Sequence, residues 1–332
     1  MQYKILSIEG GGILGVKFLI GLLKLSKEYD KKNIDLLNIF DVFTGVSSGA
    51  IISSGLALRE KILANIAKTD DKLMTDILIR CDYPQKDFKM IKQKLINQKM
   101  NCSTIIIEFL IHLFKNKAKE IFVLNANRTS ILNSKYTGDK IKVFKKYINY
   151  DLKDIPKNRF IILKTFNVID MCINVFSNFG KDNNGNKYST NVAQIIDWSS
   201  NAPTYFPNNG VQIDGGNFIN STFYSEKNLF KDHDFIIFSI GSKISKLKIP
   251  IKNQDYQWVG NLVNLLYNVG KQLDKLTNDK YFHLGFDLKH YQLDDIDAIE
   301  EIIEVAHKIE IKEAMVFIEN YIINKPALKL ND

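Results

Sequence analysis

Residues 40–58 read FDVFTGVSSGAIISSGLAL. A short apolar run stops at Gly45-Val46-Ser47-Ser48-Gly49, and from Ala50 to Arg59 apolar residues return at helical spacing. Strand, tight turn, helix is the order in which a strand of a parallel sheet feeds a helix packed on its face. The turn has the form G-x-S-x-G, the nucleophile-elbow pattern, with the serine at the sharpest point of the bend. The residues two before and two after that serine must lack bulk, which Gly45 and Gly49 satisfy. The following helix aims the positive end of its dipole at Ser47 and favours negative charge there. Ser48 lies one place off the centre of the pattern and is expected to face elsewhere.

Upstream, residues 4–22 read KILSIEGGGILGVKFLIGL. Tyr3 to Ile8 reads as a buried strand, Val16 to Tyr29 as a helix and Asn38 to Gly45 as a second strand. Between the first strand and the first helix, Gly10-Gly11-Gly12-Ile13-Leu14-Gly15 spells G-x-G-x-x-G. A glycine turn at a helix start presents unpaired backbone N–H groups and suits an anion. Two guests fit: the phosphate of a dinucleotide, or the oxyanion of an acyl-transfer intermediate. The dinucleotide reading, that of a nucleotide-binding oxidoreductase, needs an acid about 20 residues past the turn, at the end of the second strand. Asp35 and Asp41 lie in that vicinity, although Asp41 leads into the serine turn.

Downstream, residues 60–135 read as a mainly helical insertion. Phe160 to Val168 and Cys172 to Phe176 are β-rich, residues 182–186 form a loop, and Asn191 to Ser200 reads as a helix. Val211 to Ile213 is a short strand, Asp234 to Ile240 a buried one, and the pattern from Gln257 onward is helical. No repeat and no linker-like break divides the chain. The expectation is one α/β domain over residues 1–332: a mostly parallel central sheet with helices on both faces. Its motif-bearing core runs over about 3–242, with a helical C-terminal extension over about 255–325.

A serine needs a base. The stretch QIDGGNFIN, residues 212–220, puts Asp214 at the end of a short strand, ahead of Gly215 and Gly216. An Asp held there can reach a serine from the C-terminal edge of the sheet; the same letters also describe an ordinary Asp-Gly turn. The five histidines are placed less well. His112 lies in an apolar helix and His307 in a charged one. His233 precedes a strand, and His283 and His290 flank LGFDLK. None sits in a loop after a late strand, so a Ser–His–Asp triad is poorly supported.

The bulk composition sets limits. A 45% apolar and 25% charged chain is ordinary for a globular protein, which argues against disorder. The net charge of +8 is spread along the chain; it reads either as a solvated surface or as a weak attraction to anionic membranes. Nucleic acid is not expected as a partner, since no basic helix or aromatic RNA-binding motif occurs. Cys81, Cys102 and Cys172 form no close pair and read as reduced thiols. No metal-ligand spacing and no cofactor is expected. The first strand begins too early to leave room for a signal peptide, and no apolar run approaches the roughly 18 residues of a membrane span. A cytoplasmic or peripheral-membrane location is expected, with the oligomeric state open.

Taken in order, the glycine turn, the G-x-S-x-G turn and Asp214-Gly215-Gly216 resemble the patatin-like phospholipase family. SSNAPTYFPNNGVQIDGG (199–216) is similar to that family's A-P-T-Y-F-P segment leading to its catalytic Asp. NSKYTGDKIKVFKKY (133–147) resembles its K-Y-x-G segment, and FIIFSIGS (235–242) its late strand. The resemblance runs from about Tyr3 to Ser242. It implies a patatin-like three-layer fold and a lipid acyl hydrolase acting on phospholipid or another acyl lipid at a membrane surface. It further implies Ser47 as nucleophile through an acyl-Ser47 intermediate, Asp214 as base, no histidine, and an oxyanion hole at Gly10, Gly11 and Gly12. Gly15, Gly45, Gly49, Gly215 and Gly216 would support these. Three places depart from the family pattern: Glu9 replaces an Asp before the glycines, Leu14 a basic residue, and Asn220-Ser221-Thr222 an Asn-Asn-Pro. Leu14 motivates the alternative of a catalytically weak relative with a lipid-binding, regulatory or structural role.

Overall fold

The computed structural model describes residues 2–127, 134–179, 190–203, 205–207, 210–217, 234–243, 280–287 and 291–324. Strand β1 (Gln2–Ile8) is buried along all but its first residue, as a strand covered on both faces must be. A single turn at Gly12–Leu14 leads into α1 (Gly15–Asp30). The second strand is shorter than its letters suggest. The Asp35 carboxylate accepts the N–H of Leu37 at 3.1 Å and winds Leu36–Ile39 into a 3-10 turn, so β2 covers only Val42–Gly45. After α2 (Ser48–Ala57), the helical insertion is built from α3 (Arg59–Thr69), α4 (Asp71–Arg80), α5 (Phe88–Ile96) and α6 (Ser103–Ile121).

Helix α7 (Lys140–Tyr147) starts where Asp139 accepts the N–H of Lys142 at 3.1 Å. Strands β3 (Phe160–Asn167) and β4 (Cys172–Ser177) form a hairpin, followed by α8 (Val192–Ser199) and the three-residue β5 (Gln212–Asp214). Strand β6 (Asp234–Ser242) and β7 (Tyr281–Phe286) precede α9 (Ile299–Ala306) and α10 (Lys312–Phe317). The helical pattern read from Gln257 onward is corrected at β7. Tyr281–Phe286 is a strand parallel to β6, paired with it from Ile237–Tyr281 to Ser242–Phe286, and over its second half burial alternates, with Leu284 and Phe286 buried and His283 and Gly285 half-exposed. The loop read at 182–186, the segment Asn220-Ser221-Thr222, His233, His290 and the helical stretch 257–279 lie outside the described residues.

The strands form one sheet in the order β4-β3-β2-β1-β6-β7, with β5 also paired to β3. Strands β3, β2, β1, β6 and β7 are parallel; β4 and β5 run against β3. The fold is therefore mixed α/β with a mostly parallel central sheet flanked by helices. Leu6, Ile8, Phe43 and Phe238 face the large cluster formed with α1, α2, α6, α8, α9 and α10. Tyr3, Ile5, Val42, Ile162 and Ile237 form a smaller cluster on the opposite face. Because the sheet is parallel, the glycine turn after β1 and the serine turn after β2 lie on the same edge. β5 brings Asp214 to that edge by pairing with the end of β3, opposite Thr165.

Candidate active site

Ser47 is the N-cap of α2 and has φ 57° and ψ −127°, a region that serine rarely occupies. Its side chain caps nothing in the helix. The neighbours two residues away explain how the bend closes. A Cβ on Gly45 would stand 2.2 Å from the carbonyl oxygen of Gly49, and one on Gly49 would stand 2.1 Å from that of Ile8. No other side chain fits either place. The bend is held from outside too: the Ser47 N–H donates to Ser199 Oγ at 2.9 Å, and that hydroxyl donates to the Lys164 carbonyl at 2.7 Å.

Asp214 is 5% exposed, whereas Ser47 is half-buried. The Asp214 N–H donates to the carbonyl of Asn201 at 3.1 Å, and its Oδ1 accepts the N–H of Gly216 at 2.8 Å. The Ser47 side chain stands close enough to its carboxylate to lower its pKa. Burial pushes the Asp214 carboxyl up to about 6, against the lowering pull of Ser47, of the Gly216 N–H and of the Lys140 ammonium. A carboxylate beside a serine and ionised at neutral pH is able to take that serine's proton.

The glycine turn faces this pair. A Cβ on Gly10 would lie 2.9 Å from the Cβ of Ser47. Gly12 has φ +56°, and a Cβ there would lie 2.1 Å from the Leu293 carbonyl oxygen, which also accepts the N–H of Ile13 at 2.8 Å. Gly10 and Gly12 are half-buried; Gly11 is buried, and its N–H donates to Ser48 Oγ at 2.9 Å. Ser48, expected to face elsewhere, thus faces the glycine turn and ties it to the elbow. Two of the departures from the family pattern have visible surroundings. Glu9 is buried, reaches β6 and accepts the N–H of Ser242 at 3.0 Å, while Leu14 is buried in the core. Gly15 opens α1 and Gly215 packs beside β3, 3.2 Å from the Lys164 carbonyl at its would-be Cβ.

The described histidines are occupied elsewhere. His112 bonds Arg80 and Asn116, and His283 bonds Ser239 Oγ at 3.1 Å and the Ser242 carbonyl at 2.8 Å. His307, exposed at the end of α9, accepts from Lys24 only through its backbone carbonyl. The acids needed for a dinucleotide stand at the wrong edge. Asp41 precedes β2 and accepts the N–H of Lys4 at 2.8 Å, and Asp35 holds the turn before it. Among the described residues no group of three His, Cys, Asp or Glu is placed to hold a metal.

Residues 6–225 match the model of the family described as patatin-like phospholipase. The chain belongs to the patatin-like phospholipase family. Among curated proteins, none matches this patatin-like chain. Two of the solved structures similar to it are the following. One is the heterodimeric ExoU–SpcU complex of the type III secretion system of Pseudomonas aeruginosa, at 14% identity and TM-score 0.28, covering 82% of this chain and 51% of that one. The other is the type III effector protein ExoU, at 14% identity and TM-score 0.23, covering 82% and 53%. This chain spans about half the length of both. Patatin-like phospholipases are lipid acyl hydrolases, and among the described residues no helix is long and apolar enough to cross a membrane.

Proposed function

We propose that this patatin-like chain hydrolyses acyl esters of phospholipids through a Ser47–Asp214 dyad. The observation that carries the reading is the convergence of the strained Ser47 elbow and the buried Asp214 carboxylate, which senses the Ser47 side chain, at the place where the glycine turn approaches the serine. Asp214 takes the Ser47 proton as Oγ attacks the ester carbonyl, and the negative charge moves to the carbonyl oxygen. Backbone N–H groups of the Gly10–Gly12 turn then face that oxygen; one such donor is worth about 2.7–4 kcal/mol elsewhere. Collapse releases the alcohol, which receives the proton from Asp214, and leaves acyl-Ser47. Water, deprotonated by Asp214, completes the hydrolysis.

The Gly11 N–H is engaged by Ser48 Oγ, so an ester oxygen would have to compete with that hydroxyl for it. That engagement, with Leu14 buried where relatives carry a cation, supports the second reading, a lipid-binding protein of weak activity. Labelling with a fluorophosphonate probe and mapping of the adduct separates the two. Labelling at Ser47, lost in Ser47→Ala and strongly reduced in Asp214→Asn, is the expected result. Vesicle binding by a folded protein that takes no label at Ser47 would favour the second reading.

A further inference from the structure

Residues 199–201, the end of α8 and the two that follow, hold three partners in a row. Ser199 Oγ takes the N–H of Ser47 at 2.9 Å, the Ser200 carbonyl takes Nζ of Lys140 at 2.9 Å, and the Asn201 carbonyl takes the N–H of Asp214 at 3.1 Å. Lys140, the first residue of α7, is only 6% exposed. Its Nζ also donates to the Asp197 carbonyl at 3.2 Å and to Ser200 Oγ at 3.4 Å, stands 3.6 Å from Asp197 Oδ1 and lies 4.1 Å from the centroid of the Phe206 ring.

A buried ammonium is costly unless it is paired, and the carbonyls ending a helix are a common place for a lysine. Capping alone does not account for this one. The Ser200 carbonyl it takes lies between the two residues, Ser199 and Asn201, that seat Ser47 and Asp214, and its charge is felt at the Asp214 carboxylate. We propose that Lys140 is a positioning residue for the base: its ammonium, fixed on Ser200, holds the segment that seats the dyad and presents a positive charge to the Asp214 carboxylate. The inference builds on the reading of Asp214 as base, and no part of the G-x-S-x-G or D-G-G patterns marks this lysine.

Among the described residues, the other charges near the pair come from α8, α7 and β3 and from beyond Phe206. Helix α8 brings Asp197, which shares the same ammonium, and α7 brings Asp139 and Lys142 beside Lys140. Strand β3 brings Lys164, next to the Thr165 that pairs with Asp214. Beyond Phe206 and Tyr136, Lys135 and Asp294 are bonded to one another. Burial lowers the Lys140 ammonium to about 8, so its charge is present through the range in which Asp214 titrates and is lost above it.

The experiment compares wild type, Lys140→Met, Lys140→Gln and Lys140→Arg by two readouts. One is the pH profile of probe labelling at Ser47. The other is the titration of the Asp214 carboxyl by ¹³C NMR, its signal assigned by its loss in Asp214→Asn. Both neutral variants should move the acid-side midpoint upward and Lys140→Arg should keep it, whatever happens to the plateau. A half-unit rise reads as about a threefold loss of labelling at pH 5.5 relative to the plateau. The profiles should converge above pH 9, where the wild-type lysine is itself neutral. Should one neutral variant fail to fold, the other carries the comparison. An unchanged midpoint in a folded neutral variant overturns the inference. An upward carboxyl shift in a protein that takes no label at Ser47 sustains the electrostatic role of Lys140 and overturns the hydrolase reading instead.

Discussion

Ser47 and Asp214 are both held at a cost, and each cost predicts a measurement. At φ 57° and ψ −127° Ser47 sits where glycine is at ease and a side chain is strained by about 1–3 kcal/mol. Ser47→Gly should therefore unfold at higher temperature than Ser47→Ala, which keeps the strained Cβ; equal midpoints would show that the turn relaxes. Asp214 titrates at about 6 in the fold against 3.8 for a free Asp. Between those values the native state binds more protons than the unfolded one, so stability from this group falls as pH rises through that window. Fully ionised, the carboxylate costs on the order of 3 kcal/mol. Asp214→Asn should thus be more stable than wild type at pH 8 by up to that amount, with the gain vanishing near pH 4. Urea unfolding at the two pH values checks this, and a loss of stability at pH 8 would contradict it.

At the scale of elements, the site is a meeting of two strand–turn–helix units and one strand end. The turns were readable from the letters because their bends permit only glycine: Gly49 has an oxygen 2.1 Å from where a Cβ would be. Asp214 stands out in the letters as a strand-end Asp because Gly215 and Gly216 follow it. Other parts had no local signal. Ser199, Ser200 and Asn201 act through their spacing from strands far away in the chain, and Lys140 looks like any other lysine of a basic helix. Strand β7 was lost in a stretch of helical periodicity because it is only six residues long and carries a glycine. Ser48 was misjudged because the elbow pattern describes the bend and is silent on what packs against it. Its bond to the Gly11 N–H makes Ser48→Ala informative. A buried donor left unpaired costs about 1–3 kcal/mol, so the variant should lose stability of that order while labelling stays at Ser47. Abolished labelling in a folded Ser48→Ala protein would assign the hydroxyl a larger part in the site.

Across the whole molecule, the sheet edge that carries the dyad also carries apolar side chains in water. Strand β3 runs past the level of Gly45 to Asn167, and the turn to β4 ends in Ile169 and Met171, each 72% exposed. Val211, 37% exposed, adjoins it, its carbonyl accepting the N–H of Val168 at 2.9 Å. A net charge of +8 would draw the chain to an anionic surface over roughly a Debye length, about 8 Å at physiological salt, with apolar contacts taking over at closer range. Binding to vesicles containing anionic phospholipid should therefore exceed binding to zwitterionic ones and weaken as salt is raised. Burying a large apolar side chain contributes about 1.5–3 kcal/mol, so Ile169→Asp combined with Met171→Asp should weaken vesicle partitioning by about tenfold or more. Labelling of Ser47 by a soluble probe should persist in that double variant, because neither residue touches the dyad. Sedimentation with vesicles at two salt concentrations, read beside probe labelling of the same samples, measures both terms. Partitioning that responds to salt but not to the double substitution would leave charge as the whole of the attraction and remove the β3–β4 turn from the membrane-facing surface.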